Sequence, residues 1–151
     1  MVQCGSSRFT RDVDIAITPQ TLQAFEEKAK SDPRFSLHAD RHWAYTGQGL
    51  GVEGLQVEFK FLAVGNEFVP RVRAITRFDS FWVASLADIA GMKARAYQDR
   101  DEDRDHEDLL FVLEEMKRAG QTLTQYGIEE SEIAVIRSVL SDDVRFAQVT
   151  G

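Results

Sequence analysis

The chain has 151 residues, and 18 Lys and Arg against 25 Asp and Glu leave a net charge of −7 at pH 7. Apolar residues make up 43% and charged residues 28%, a globular balance that excludes disorder, while ten Gly and three Pro exclude a low-complexity or collagen-like chain. The acid excess argues against sequence-independent coating of nucleic acid and leaves room only for a small local basic site.

Residues 12–18 alternate, with Val13, Ile15 and Ile17 on one side and Asp12, Asp14 and Ala16 on the other, which predicts a strand with one greasy face. Thr18-Pro19 then opens a helix, a capping residue followed by proline at the first helical position. Leu22, Phe25 and Ala29 form its buried stripe, and Ser31-Asp32-Pro33 ends it. Residues 35–37 and 43–45 are short candidate strands, followed by a Gly-rich turn region at 47–54. The clearest strand covers 55–62, where Leu55, Val57, Phe59 and Phe61 share one face and Gln56, Glu58 and Lys60 the other. A shorter extended stretch covers 71–76, with Val72 alternating against charged neighbours.

The second half reads as helical. Ser85 caps a helix whose stripe runs Leu86, Ile89, Ala90, Lys93, Ala96, Tyr97 and Arg100. A second helix carries Leu109, Val112, Leu113 and Met116 and ends near Gly120; a third, capped by Ser131, carries Ile133, Ile136, Val139 and Leu140. Sheet first and helices afterwards predict an α+β fold: a mixed β-sheet packed by helices, with a helical C-terminal half. The expectation is one domain over 1–151, mostly sheet with one helix over 1–84 and helical over 85–151.

Asp12 and Asp14 are two residues apart on one strand, so both carboxylates leave the same face about 6.6 Å apart along the backbone. Like charges held this close repel, and a divalent cation between them offsets the repulsion. Glu58 stands at the centre of the polar face of the 55–62 strand. If the two strands are neighbours, Asp12, Asp14 and Glu58 form an acidic triad suited to Mg²⁺ and to phosphoryl transfer. The competing account is that surface strands commonly show acids on their wet face. Lys93 lies on an apolar helical stripe and either snorkels to water or reaches an anion; phosphate contact is the favoured role. For Arg100 with Asp105 and Asp108 a salt-bridged helix corner is the favoured reading.

The ordered set Gly5-x-x-Arg8-x-Thr10-x-Asp12-Val13-Asp14-Ile15, Val57-Glu58-Phe59, Lys93-x-x-Ala96-x-x-x-Arg100 and Asp105-x-x-Asp108-Leu109 resembles the nucleotidyltransferase superfamily. This is the polymerase-beta-like fold, and the likeness is to the branch related to abortive-infection toxins. The resemblance implies that Asp12, Asp14 and Glu58 bind Mg²⁺ or Mn²⁺ and do the catalysis. It also implies that Lys93, with Gly5, Ser6, Arg8 and Thr10, serves nucleotide binding. The implied reaction is attack of an acceptor hydroxyl (on RNA, protein or a small molecule) on the α-phosphorus of a nucleoside triphosphate such as ATP, releasing pyrophosphate. A degenerate binding or assembly module and the toxin of a toxin–antitoxin pair are the alternatives.

The family precedes its acidic strand with a further strand and a Gly-Gly or Gly-Ser helix that cradles phosphates. Only four residues precede Gly5, so Gly5 to Thr10 reads as a loop entering the strand. The expected consequences are weaker nucleotide binding and an exposed strand edge, hence a homodimer or a trimmed form of a longer protein. Among other residues, the His38 and His42 pair sits in extended sequence and makes a poor metal motif, and His106 reads as part of a solvated helix start. Trp43, Tyr45, Phe81 and Trp82 default to packing. Cys4 has no internal disulfide partner and fits a reducing compartment. No apolar run approaches the ~18 residues of a spanning helix and no signal-peptide core opens the chain, so a cytoplasmic protein without membrane partners is expected.

Overall fold

The structure, a computed structural model, describes residues 12–39, 42–47, 56–65, 69, 72, 75–78, 81–141 and 143–151. The chain divides into two compact units, Met1–Pro70 and Arg71–Gly151.

The first unit holds β1 (Asp12–Ile17), α1 (Pro19–Ala29), β2 (Phe35–Leu37), β3 (Trp43–Thr46) and β4 (Gln56–Ala63). Its sheet runs in the order β1-β4-β3-β2. β2, β3 and β4 form an antiparallel meander, and β4 returns parallel to β1. Because side chains alternate along a strand, the register decides both faces at once. Val13 sits beside Phe59 and Ile15 beside Phe61, Trp43 faces Phe59, and Tyr45 faces Val57 and Phe35, so one side of the sheet is apolar across all four strands.

Helix α1 packs on that side through Phe25. Its ring lies 5.5 Å from Phe35 and 5.5 Å from Trp43, both edge-on, and 4.8 Å from Phe61. Edge-to-face contacts set the negative ring face against the positive ring edge and add to the gain from burial. The helix starts as expected: Pro19 is in the first turn and the Thr18 hydroxyl accepts the Thr21 N–H at 3.3 Å. Beyond its end, the Asp32 carboxylate accepts the Arg34 backbone N–H and faces its guanidinium, which pulls Asp32 down to about 2. After β4 the chain turns at Gly65, whose φ of 102° suits glycine, and the Gly65 N–H is donated to the Val69 carbonyl at 2.8 Å.

The second unit holds a hairpin, β5 (Ile75–Phe78) with β6 (Phe81–Ala84), then α2 (Leu86–Arg100), α3 (Asp103–Arg118), α4 (Glu130–Leu140) and the short α5 (Ala147–Thr150). The fold is therefore mixed α+β, with a mixed four-stranded sheet and most of the helix in the C-terminal half. The Ser85 cap is present, its hydroxyl accepting the Asp88 N–H at 3.1 Å. Leu109, Val112, Leu113 and Met116 on α3 and Ile133 and Ile136 on α4 are buried as the helical periodicity predicts. No described helix is long and apolar enough to cross a membrane.

Four points differ from expectation. The extended stretch read at 71–76 is a strand at Ile75–Phe78, with Val72 outside it and residues 71, 73 and 74 outside the described set. Its partner β6 was not foreseen, because Phe81-Trp82-Val83 is uniformly apolar and shows no alternation. Helix α4 begins at Glu130 rather than after a Ser131 cap, and its first turn carries Glu130 and Glu132, acids that the N-terminal dipole favours. On α2 the most buried face is Ala87, Ala90, Gly91 and Ala94, with the three alanines fully buried, while Leu86, Ile89 and Tyr97 are half-buried. The helix packs against both α3 and α4, and small side chains allow that double approach.

Truncation of Phe25 removes the ring shared by β2, β3 and β4. Phe25→Ala is expected to cost roughly 3 kcal/mol in urea unfolding, the low end for a core phenylalanine because Phe25 is only half-buried. An unchanged midpoint would contradict this packing.

Candidate active site

The face of the sheet opposite α1 is built from the other half of the same alternation. On β1 it carries Asp12 and Asp14; on β4 it carries Glu58 and Lys60. The parallel register sets Asp12 beside Glu58 and Asp14 beside Lys60. With strands about 4.8 Å apart and residues two apart spaced by about 6.6 Å, these four side chains stand at the corners of a small rectangle. Three corners are carboxylates and one is an ammonium. On its other side Glu58 faces Ala44 of β3, which adds neither charge nor hydrogen-bonding group.

The ammonium reaches across the diagonal. Lys60 Nζ forms an ion pair and hydrogen bond with Asp12 Oδ2, and the two side chains are 41% and 25% exposed. The hydrogen bond to Asp12 raises Lys60 above the ordinary lysine range against some desolvation, and the charges of Asp12, Asp14 and Glu58 add to the rise. Of the three carboxylates expected to act together, Asp12 is the one that pairs directly with this cation of the chain itself. As the side chains stand, no three His, Cys, Asp or Glu among the described residues are gathered closely enough to hold a metal ion. Asp12, Asp14 and Glu58 offer only carboxylate oxygens, the chemistry a hard divalent cation takes, and Asp12 is paired with Lys60.

Sequence reasoning placed Lys60 on this face but gave it no role. The signal was present in the alternation of β4; what one strand cannot reveal is which residue of β1 lies across from it.

Lys93 belongs to the second unit, where its ammonium is already engaged. Its Nζ lies 2.8 Å from Asp108 Oδ2 and 3.3 Å from Asp105 Oδ1, and both carboxylates are buried. Arg100 Nη2 joins at 2.6 Å from Asp105 Oδ2, the salt-bridged corner expected between these helices. Asp101 makes the turn in the left-handed region, with φ of 53°, and its N–H closes α2 on the Tyr97 carbonyl at 2.7 Å. Arg95 also pairs with Glu132, tying α2 to α4.

Gly5, Ser6, Arg8 and Thr10, with Cys4, lie outside the described residues. The His38 ring meets the Gln56 side-chain amide at 3.0 Å, and the His38 N–H is donated to the His42 carbonyl at 2.8 Å. His106 lies against the Tyr97 ring at 5.2 Å. Trp43 is buried in the aromatic cluster, whereas Trp82 is 66% exposed.

Two measurements check these assignments. In a titration of lysine side-chain amines by NMR, Lys60 is expected to deprotonate above the other exposed lysines, and Asp12→Asn should bring it back toward them. A raised value in the folded state means that the pair's stabilisation is present at neutral pH and fades only as pH climbs through the folded value. Lys93→Met is expected to lower stability by roughly 2 kcal/mol, because it leaves buried carboxylates less neutralised; a lysine that served only a bound phosphate would leave unfolding unchanged.

No protein-family model matches the chain, and neither does any curated protein or solved structure.

Proposed function

We propose that this chain is a nucleotidyltransferase-fold protein that transfers a nucleoside monophosphate from a nucleoside triphosphate to an acceptor hydroxyl, using Mg²⁺ or Mn²⁺. The observation that carries the reading is the in-register parallel pairing of β1 with β4, which sets Asp12 beside Glu58 and keeps Asp14 on the same face. The resemblance of the Arg8-x-Thr10-x-Asp12-x-Asp14 segment, with Val57-Glu58-Phe59 following it, supports the same assignment.

In this reading Asp12 and Asp14 hold the cation and Glu58 completes the donor set. The bound cation would supply positive charge against the phosphate oxygens. Glu58 accepts the proton of the acceptor hydroxyl as its oxygen bonds to the α-phosphorus and the bond to pyrophosphate breaks. The strands fix the backbone positions of the three acids, while Asp12 would have to leave Lys60 and the carboxylates would have to close on the cation.

A second reading draws on the Lys60–Asp12 pair: with one of the three carboxylates already paired from within, the scaffold serves as a binding or assembly module with little catalysis. Thermal denaturation with Mg²⁺ and each nucleoside triphosphate separates the two. The enzyme reading expects a rise of roughly 4 °C at about ten times the dissociation constant, lost in Asp12→Asn/Asp14→Asn. No shift with any nucleotide would favour the module.

A further inference from the structure

We propose that β1 is a dimerisation edge, on which a second copy of this chain pairs its own β1 antiparallel about a two-fold axis at Ile15. The proposal stands on backbone register and is independent of any ligand at the acidic face.

β1 ends the sheet on one side, and among the described residues no strand pairs along its outer side. One bond fixes the direction of its backbone groups: the Val64 N–H is donated to the Ile17 carbonyl at 3.0 Å, where Ile17 lies beside Ala63. In a parallel pair alternate residues turn their N–H and C=O toward the partner. Val13, Ile15 and Ile17 therefore serve β4, while Asp14 and Ala16 turn theirs to the open edge. Both of these residues are exposed, and Val13 is 44% exposed on the apolar side. Such an edge is a template for another strand.

A two-fold axis normal to the sheet makes the new pair antiparallel and keeps both apolar faces on one side. Charge then chooses the register. Centring on Asp14 sets it against its own copy, and centring on Val13 sets Asp12 against the partner's Asp14; like charges directly opposite oppose pairing. Centring on Ala16 runs into the Thr18 cap of α1 and shortens the ladder. Centring on Ile15 sets Asp14 against the partner's Ala16 and Ala16 against the partner's Asp14, each pair exchanging two hydrogen bonds. Between and beside them lie the non-bonded pairs, where side chains approach most closely: Ile15 on its copy and Val13 on the partner's Ile17. Val13 thereby gains an apolar neighbour on its open side. The two Asp14 residues fall on a diagonal, about 7–8 Å apart, where their charges weaken the dimer without forbidding it.

The test is sedimentation equilibrium of the full chain over a range of concentrations, with amide hydrogen exchange read by NMR. A monomer–dimer equilibrium is expected. Ala16→Pro deletes an N–H that serves only the open edge, a place where strands tolerate proline. It should weaken the dimer about ten-fold, since each copy loses one hydrogen bond. Val13→Glu, at an exposed position, is the second variant and should weaken the dimer as well. Asp14→Asn should tighten it about two-fold by removing the diagonal repulsion. In the wild type the Asp14 and Ala16 amides should gain protection as concentration rises, while those of Ile15 and Ile17 stay protected throughout. A chain that remains monomeric at millimolar concentration overturns the proposal. So does a dimer that neither Ala16→Pro nor Val13→Glu weakens, or slow exchange of the Asp14 and Ala16 amides in a monomer.

Discussion

The alignment of β1 against β4 governs everything else in the first unit. Period-two alternation gives each strand an apolar side and a charged side, but only the register decides which residues meet. With Val13 beside Phe59, Asp12 must stand beside Glu58. The aromatic packing under α1 and the acidic face above it are two consequences of a single hydrogen-bonded ladder. A slip of one residue would turn Asp12 and Asp14 into the Phe25, Phe35 and Phe61 cluster and leave charges buried among rings, which costs far more than any strand pairing returns. The core thereby enforces the geometry of the candidate site.

Much of this was legible in the residues. Thr18-Pro19 and Ser85 read as helix starts because their chemistry is local, a hydroxyl meeting an orphan N–H two or three residues on. The alternation at Asp12–Ile17 and Gln56–Ala63 was equally local, and it sorted the acids from the apolar side chains before any partner was known. The grouping of Asp12, Asp14 and Glu58 required one further assumption, adjacency of the two strands, which the sheet order supplies.

What could not be read depends on partners far along the chain. Lys60 is one polar residue in a row of three, and its importance comes from Asp12, which is remote in sequence. The alanine face of α2 was obscured because periodicity weights large side chains, whereas a helix flanked by two others buries its smallest ones. Lys93 lay on the expected helix, yet its partners Asp105 and Asp108 sit on the next one, so their pairing depends on how the corner at Asp101 closes.

A cluster of acids on a strand pair would ordinarily hinder assembly, since closing the ladder brings its negative charges together. Here the fourth corner removes much of that penalty, because Lys60 arrives on β4 together with Glu58. The sheet thus carries, on the same strand as one of its acids, a positive charge that offsets part of their repulsion.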